Sequence, residues 1–104
     1  NAVNKIFSGS LDGTVRCWEL GNFGICMGCL VGHEGAVNAV VYHKEKVYSA
    51  SDDKTIRIWN TNTMLEEICL TGHSDSVTCL VLHGSFLYSG SADYTVMVWG
   101  PPCM

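Results

Sequence analysis

The sequence repeats itself at an interval of about 40 residues, and this repeat limits the possible folds more than any other feature. Trp18, Trp59 and Trp99 are spaced by 41 and 40 residues. The dipeptide Gly32-His33 recurs as Gly72-His73. Further residues keep the intervals of the tryptophans, namely Ser8, Ser49 and Ser89, Asp12, Asp53 and Asp93, and Thr14, Thr55 and Thr95. Because five residue classes share one register, each period is predicted to be one structural unit.

One period divides into four strand-sized pieces that are separated by turns. The first three pieces are residues 37–42, 47–51 and 55–59, and the fourth is residues 65–70. They are rich in β-branched and aromatic residues, and polar residues that favour turns lie between them. A four-stranded sheet of this size has two faces to bury and cannot bury them alone. The sequence therefore predicts an all-β protein whose sheets stack on one another, as in a β-propeller.

Composition agrees with a folded β protein and excludes several other classes. Of the 104 residues, 47% are hydrophobic and 15% are charged, which excludes intrinsic disorder. No apolar stretch of the sequence approaches the 18 or so residues of a membrane-spanning helix. Six Lys and Arg against ten Asp and Glu give a net charge of −4, so charge-driven binding to nucleic acid is not expected.

These motifs resemble those of the WD40-repeat family. The resemblance rests on the two Gly-His dipeptides and on three runs that each end in tryptophan, residues 7–18, 48–59 and 88–99. It covers nearly the whole chain and implies four-stranded antiparallel blades of a β-propeller. The Asp that often follows the tryptophan in this family is replaced by other residues, Glu19, Asn60 and Gly100.

The repeats predict about two and a half blades. Residues 1–31 are a partial repeat that lacks its first strand, and residues 32–71 are a complete repeat. Residues 72–104 lack the fourth strand, because Pro101-Pro102 cannot continue a β-ladder. Closed propellers have about four to eight blades. The chain is therefore expected to be a segment of a larger propeller or, alternatively, to close a ring with further copies of itself.

A Ser, a His and an Asp recur in the repeats and could suggest catalysis, but a structural interpretation is favoured. A buried Trp indole N–H needs an acceptor, which a Ser hydroxyl can supply while it donates to an imidazole. The other imidazole nitrogen can donate to a carboxylate. In WD40 repeats these positions form a structural tetrad, and an active site need not occur twice. The implied tetrads are His33, Ser49, Asp53, Trp59 and His73, Ser89, Asp93, Trp99, with Ser8, Asp12 and Trp18 in the first repeat.

The six cysteines are interpreted as reduced and intracellular, because most of them lie in apolar strand-like runs where free Cys acts as a small core residue. Cys26 and Cys29 form a C-x-x-C motif, but the sequence has no second C-x-x-C to complete a zinc site. Residues three apart on a strand point to opposite faces. Cys29 also aligns with Cys69, which suggests a repeated packing position. We therefore predict core cysteines, with no metal and no cofactor.

The resemblance implies that partners bind at the rim of the narrow top face of the propeller. Three positions in each repeat tend to face this rim, and they correspond here to Leu11, Ala36, Asn38, Asp52, Ser76, Thr78 and Ala92. These residues are small and mildly polar, which suits a peptide or a side chain that enters the central opening. Alternatively, this segment closes the ring while other blades bind. His43 and His83 are interpreted as surface turn residues.

The predicted function is that of a non-enzymatic scaffold for protein–protein interaction, located in the cytoplasm or nucleus. Its predicted partners are other proteins or peptides, with no membrane and no nucleic acid. One alternative is a propeller that recruits substrates for a larger enzyme, such as a ubiquitin-ligase component. Another is a metal-dependent role through Cys26 and Cys29.

Overall fold

The computed structural model describes residues 5–19 and 25–101, which form β-strands and no helix. The strands are β1 (Lys5–Gly9), β2 (Thr14–Glu19), β3 (Ile25–Val31), β4 (Val37–His43), β5 (Lys46–Ser51), β6 (Ile56–Asn60), β7 (Leu65–Leu70), β8 (Val77–His83), β9 (Phe86–Ser91) and β10 (Val96–Trp99). Across these residues, no helix has the length and apolar character needed to cross a membrane.

The strands form three antiparallel sheets, which we call blades. Blade 1 has the strand order β1-β2-β3, blade 2 has β4-β5-β6-β7, and blade 3 has β10-β9-β8. Blade 2 is a complete meander, because each strand pairs with the next along the chain. Ser8 on β1 corresponds to Ser49 on β5, so blade 1 begins at the second strand of the repeat. The prediction of an all-β fold with about two and a half propeller blades is confirmed.

The blades stack because the side chains of the central sheet alternate between two cores. Toward blade 1, a core forms from Val15, Leu30, Val37, Val47 and Trp59. Toward blade 3, a second core forms from Ala50, Ile56, Ile58, Leu70, Val77, Leu80 and Leu87. The period-2 alternation of the strands therefore gives blade 2 two buried faces, one for each neighbouring blade.

Each blade has a tight turn, between β1 and β2, between β5 and β6 or between β9 and β10. This turn lies beside an entry loop, which is a loop that leads into the first strand of a blade. Its third residue adopts positive φ in all three blades, at Gly13 (φ 88°), Lys54 (φ 74°) and Tyr94 (φ 70°). A Cβ atom at Gly13 would lie 2.9 Å from the carbonyl oxygen of His33, so this position also requires close backbone approach. The turn of blade 1 thereby contacts the entry loop of blade 2. We call this end of the blades, formed by residues 11–13, 32–36, 52–54, 72–76 and 92–94, the top face.

The prediction that the cysteines are core residues is wrong for most of those described. Cys17 is buried, whereas Cys26, Cys29, Cys69 and Cys79 are exposed. Cys26 and Cys29 lie on β3 and Cys69 on β7, which are edge strands of their sheets. An apolar sequence context does not bury a side chain on an edge strand. Cys103 lies outside the described residues.

The prediction that Cys26 and Cys29 point to opposite faces of β3 is also wrong. Arg16 pairs with Cys29 and Trp18 pairs with Cys26, and the register shifts between Cys17 and Trp18. Three steps along β3 therefore span two steps along β2, as at a β-bulge. Because Arg16 and Trp18 are two residues apart, they share one face, and their partners Cys26 and Cys29 share it with them.

Candidate functional site

In blade 2 the structure brings His33, Ser49, Asp53 and Trp59 into one hydrogen-bonded chain. The Trp59 indole N–H donates to Ser49 Oγ over 2.8 Å. Ser49 Oγ lies 2.6 Å from His33 Nε2, and His33 Nδ1 lies 2.9 Å from Asp53 Oδ2. The chain links the entry loop to β5, to β6 and to the turn between them.

The acceptors in this chain fix which imidazole nitrogen carries the proton. An ionised carboxylate can only accept, so His33 Nδ1–H donates to Asp53. Nε2 is then free to accept the hydroxyl hydrogen of Ser49, whose oxygen still accepts from Trp59. Each donor therefore has one acceptor, which makes a buried polar network stabilising. Burial lowers the pKa of His33, against the opposing effect of its hydrogen bond to Asp53.

Asp53 is the most heavily hydrogen-bonded member of the set. Thr55 donates its hydroxyl over 2.6 Å and its N–H over 2.9 Å to Oδ1, and the Glu34 N–H donates over 3.0 Å to Oδ2. Burial alone would raise the pKa of Asp53, but these hydrogen bonds and the one from His33 outweigh it and hold the pKa well below its usual range. Asp53 is therefore ionised, and it fastens the turn to the entry loop.

Blade 3 repeats this arrangement. The Trp99 indole N–H donates to Ser89 Oγ over 2.8 Å, and Ser89 Oγ lies 2.7 Å from His73 Nε2. His73 Nδ1 lies 3.1 Å from Asp93 Oδ2. The hydroxyl of Thr95 donates to Asp93 and is the main reason why the pKa of Asp93 is held below its usual range.

Blade 1 contains only part of the set among its described residues. The Trp18 indole N–H donates to Ser8 Oγ over 2.9 Å. Asp12 accepts from the hydroxyl and N–H of Thr14 and from Arg16 Nη2 at 3.1 Å. Its pKa is lowered chiefly by the side-chain hydrogen bond from Thr14. Ser8 and Trp18 are thus joined, and Asp12 is held separately in its own turn.

These networks are poorly suited to nucleophilic catalysis. Ser49 and Ser89 are completely buried, and each oxygen already accepts from a tryptophan. The His33 side chain is 0% exposed and the Asp53 side chain 9%, so a substrate has no route to the hydroxyl. Within the described ranges no buried side-chain nitrogen or oxygen lacks a partner, and no three His, Cys, Asp or Glu are grouped to hold a metal ion.

The residues predicted for the partner-binding rim lie on or beside the top face. Exposed members of the set are Leu11, Asn38, Asp52, Thr78 and Ala92, and half-buried members are Ala36 and Ser76. The backbone brings two pairs together, because the Asp52 N–H donates to the Ala36 carbonyl and the Ala92 N–H donates to the Ser76 carbonyl, both over 2.9 Å. Leu11, which represents blade 1 in this set, is 90% exposed.

Asn38 also makes a contact between two blades. Its Nδ2 donates to Asp52 Oδ1 over 2.8 Å and to the carbonyl oxygen of Val77 over 3.0 Å. Val77 begins the inner strand of blade 3, so the Asn38 side chain spans the junction of blades 2 and 3. Thr78, at the equivalent position of blade 3, instead donates within its own blade to the Gly90 carbonyl over 3.3 Å. Asn38 therefore contributes to blade packing as well as to the exposed rim.

Sequence analysis missed the charge of the top face. The segments that form it contain six acidic residues and one basic residue, Lys54. Two of the acidic residues, Glu34 and Asp75, are exposed in the entry loops and were not among the predicted rim positions. The available signal was their place just after the two Gly-His dipeptides, where the loop turns toward the first strand.

Comparison with known proteins places the repeats in a family. The family model described as WD domain, G-beta repeat, matches residues 1–19, 24–60 and 66–100. The second match includes the outer strand β3 of blade 1 and β4, β5 and β6 of blade 2. The second and third matches therefore each contain strands of two neighbouring blades.

Curated relatives share short segments with this chain. Nuclear distribution protein nudF of Aspergillus flavus is 41% identical over 64 residues, which are 60% of this chain and 14% of that protein. Cell division control protein 4 of Candida albicans is 42% identical over 62 residues, which are 58% of this chain and 9% of that protein. The chain thus spans about one seventh or less of the length of these relatives.

Solved structures share the fold over nearly the whole chain. The computationally designed Ika4 protein matches with a TM-score of 0.84 and 36% identity, over 93% of this chain and 60% of that one. The designed Ika8 protein matches with a TM-score of 0.83 and 33% identity, over 97% of this chain and 32% of that one. Since the family model covers most of its residues, this chain belongs to the WD40 family, the WD domain with G-beta repeats.

Proposed function

We propose that this chain is a non-enzymatic interaction scaffold that binds protein partners through its top face. WD40 repeats mediate protein interactions, and relatives of this chain include nuclear distribution and cell division control proteins. The observation that carries the proposal is the burial of the Ser-His-Asp sets. Because these groups are consumed in internal hydrogen bonds, the chemistry that remains for function is that of the exposed surface.

The charge of the top face defines the kind of partner that suits it. Six acidic residues against one lysine leave this face net negative even though Arg16 pairs with Asp12 and Arg57 lies 3.8 Å from Asp53, and Glu34, Asp52 and Asp75 are exposed there. Complementary charge raises the association rate and selects among partners. A protein segment that carries Lys or Arg side chains is therefore the expected occupant.

The proposal is tested with Leu11→Lys and Ala92→Lys, made in the full chain that carries these repeats. Both side chains are exposed and make no side-chain hydrogen bond that the fold requires, so stability should change by less than about 0.5 kcal/mol. The added cations should repel a basic partner, and we expect at least about tenfold weaker binding by calorimetry. Asn38 is a poorer test, because it also links blades 2 and 3.

The matched control is Ser85→Lys, in the exposed turn between β8 and β9 at the opposite end of blade 3. This control should keep wild-type affinity. If Ser85→Lys loses the partner while both top-face variants keep it, the binding surface lies at the other end of the blades and the proposal is wrong.

We further propose where the chain is located, what its tetrads do and how its ring is closed. The chain is assigned to the cytoplasm or nucleus, where cysteines are normally kept reduced. The tetrads serve stability in this proposal rather than chemistry. Closure of the ring is assigned to further blades, supplied by the rest of the same propeller or by further copies of the chain.

A further inference from the structure

Cys26 and Cys29 form a pair of exposed thiols on one face of β3. The bulge places them opposite Trp18 and Arg16, which are themselves on one face of β2. Cys26 Sγ lies 3.5 Å from the carbonyl oxygen of Gly28, the residue before Cys29. Both side chains are exposed, whereas Cys17 on the same blade is buried.

Blade 2 shows how side chains at these two positions behave. The residues equivalent to Cys26 and Cys29 are Glu66 and Cys69, which pair with Trp59 and Arg57 across the same type of bulge. Arg57 Nη1 donates to Glu66 Oε1 over 2.8 Å, and Arg57 is directly opposite Cys69 in the strand pairing. The side chains at both positions therefore lie next to the same arginine on one face of the sheet.

Exposure of this pair does not depend on the absence of a neighbouring blade. In blade 2 the same face packs against blade 1 through Trp59, yet Glu66 and Cys69 remain exposed. Outer strands lie at the periphery of the stack, where the neighbouring blade does not reach. The thiols of Cys26 and Cys29 are expected to stay accessible when a further blade covers blade 1.

A cation lies beside the two thiols. Arg16 is directly opposite Cys29 and donates from Nη2 to Asp12 over 3.1 Å. Its pKa is raised chiefly by the hydrogen bond to Asp12. A nearby guanidinium is a feature of reactive cysteines, because the thiolate is the nucleophile.

We propose that Cys26 and Cys29 form a modification site at which peroxides oxidise the two thiols reversibly to an intrastrand disulfide. The Cα atoms of their partners Arg16 and Trp18 are about 6.6 Å apart, at a rise of about 3.3 Å per residue. The bulge therefore brings the two cysteines closer than three regular strand steps would, and a disulfide, whose Cα atoms lie roughly 4.4–6.8 Å apart, requires the strand to contract at the bulge. A bond that needs slight contraction of an exposed strand is more easily reduced than a structural disulfide.

The reaction balances with one peroxide. The Cys29 thiolate attacks one peroxide oxygen, the O–O bond breaks, and the released hydroxide takes up the thiol proton to form water, leaving a sulfenic acid. The Cys26 thiol then attacks the Cys29 sulfur, the S–OH bond breaks, and a second water leaves as the S–S bond forms. The two thiols together lose two electrons and two protons, and hydrogen peroxide is reduced to two molecules of water.

The test treats the folded full chain with hydrogen peroxide, blocks the remaining thiols with N-ethylmaleimide, and analyses the peptide of residues 17–44 by mass spectrometry. We expect this peptide to lose two hydrogens and to regain them with dithiothreitol, and fragmentation should place the bond between Cys26 and Cys29. In Cys26→Ser the disulfide should disappear, and a dimedone adduct should accumulate at Cys29.

Blade 2 supplies the matched control and a gain-of-function variant. Cys69 has the same arginine neighbour but no second thiol, so it should form no intrastrand bond in the wild-type chain. Glu66→Cys should create one and form a disulfide at a rate within about tenfold of the natural pair, since the geometry is the same. Independent alkylation of Cys26 and Cys29 after oxidation, or a disulfide that forms only between chains, would overturn the proposal.

Discussion

At the scale of single residues, one serine hydroxyl links two strands and the entry loop in each of blades 2 and 3. Ser49 Oγ accepts from Trp59 and donates to His33, which donates to Asp53. One oxygen thus joins β5, β6 and the entry loop. The offsets along the chain are fixed by the hairpin and by the loop length, so the tetrad that the resemblance implies keeps the same spacing in blades 2 and 3.

Replacing the histidine of this network should lower stability. We expect His73→Ala to reduce the free energy of unfolding by about 1–3 kcal/mol, because Ser89 and Asp93 each lose a buried partner. Denaturant unfolding of the full propeller measures the change. His83→Ala, at an exposed histidine that ends β8, is the control and should stay within about 0.5 kcal/mol of wild type. Equal stability of all three proteins would contradict the role assigned to His73.

The protonation of His33 predicts a loss of stability in mild acid. Burial lowers the pKa of His33 in the folded protein, while the unfolded chain keeps the ordinary value of about 6.5. Below about pH 6.5 the unfolded state binds a proton at this histidine that the folded state does not readily bind. The stability is therefore full above that pH and falls as the pH drops through the folded pKa of His33. Unfolding curves between pH 7.5 and 5 measure this loss. In His33→Gln the change over this range should be smaller, and an unchanged slope would argue against His33.

At the scale of elements, the hairpins show how the same position in two blades can use different turns. In blade 2, Lys44 and Glu45 have φ of 51° and 65°, both in the left-handed region, as in a type I′ turn. In blade 3 the turn has Gly84 at its first central position, with φ 61°. Each turn joins paired strand ends, at His43–Lys46 and His83–Phe86. The turn of blade 2 therefore holds non-glycine residues in a conformation that they rarely adopt.

The turn conformation predicts opposite effects for two substitutions at one site. Lys44→Asn should raise the free energy of unfolding by about 0.5 kcal/mol, because Asn tolerates the left-handed region. Lys44→Val should lower it by about 1 kcal/mol, because a β-branched side chain is strained there. Thermal unfolding of both variants tests the pair. Two shifts of the same sign would show that the charge of Lys44, rather than its backbone, controls the effect.

At the scale of the whole molecule, blade 3 presents an apolar face that its counterpart in blade 2 buries. Val81, Val96 and Val98 are 58%, 70% and 56% exposed. Their equivalents in blade 2 are Val41, Ile56 and Ile58, which pack against blade 3, with Ile56 and Ile58 almost completely buried. The face of blade 3 therefore has the side chains that receive another blade, and exposing it to water is unfavourable.

This open face predicts that residues 1–104 alone do not form a stable monomer. We expect the isolated segment to associate or aggregate in light scattering, and to do so less when Val96→Lys and Val98→Lys are combined. The same double variant should destabilise a closed propeller, because it places two charges in a blade interface. A folded, cooperative monomer of the wild-type segment would contradict this prediction.

The repeat in the sequence was enough to predict the stacked sheets and the strand order, and the resemblance to WD40 repeats supplied the residues expected in the tetrads. These features depend on local periodicity and on fixed offsets, which one period shows as well as the next. The exposure of Cys26, Cys29 and Cys69 and the bulge that brings Cys26 and Cys29 to one face were decided by the tertiary structure. The contact from Asn38 to Val77 was decided there too, because it joins different blades. Such features depend on edge position, on strand register and on the spacing between sheets. None of these can be read from the residue types alone.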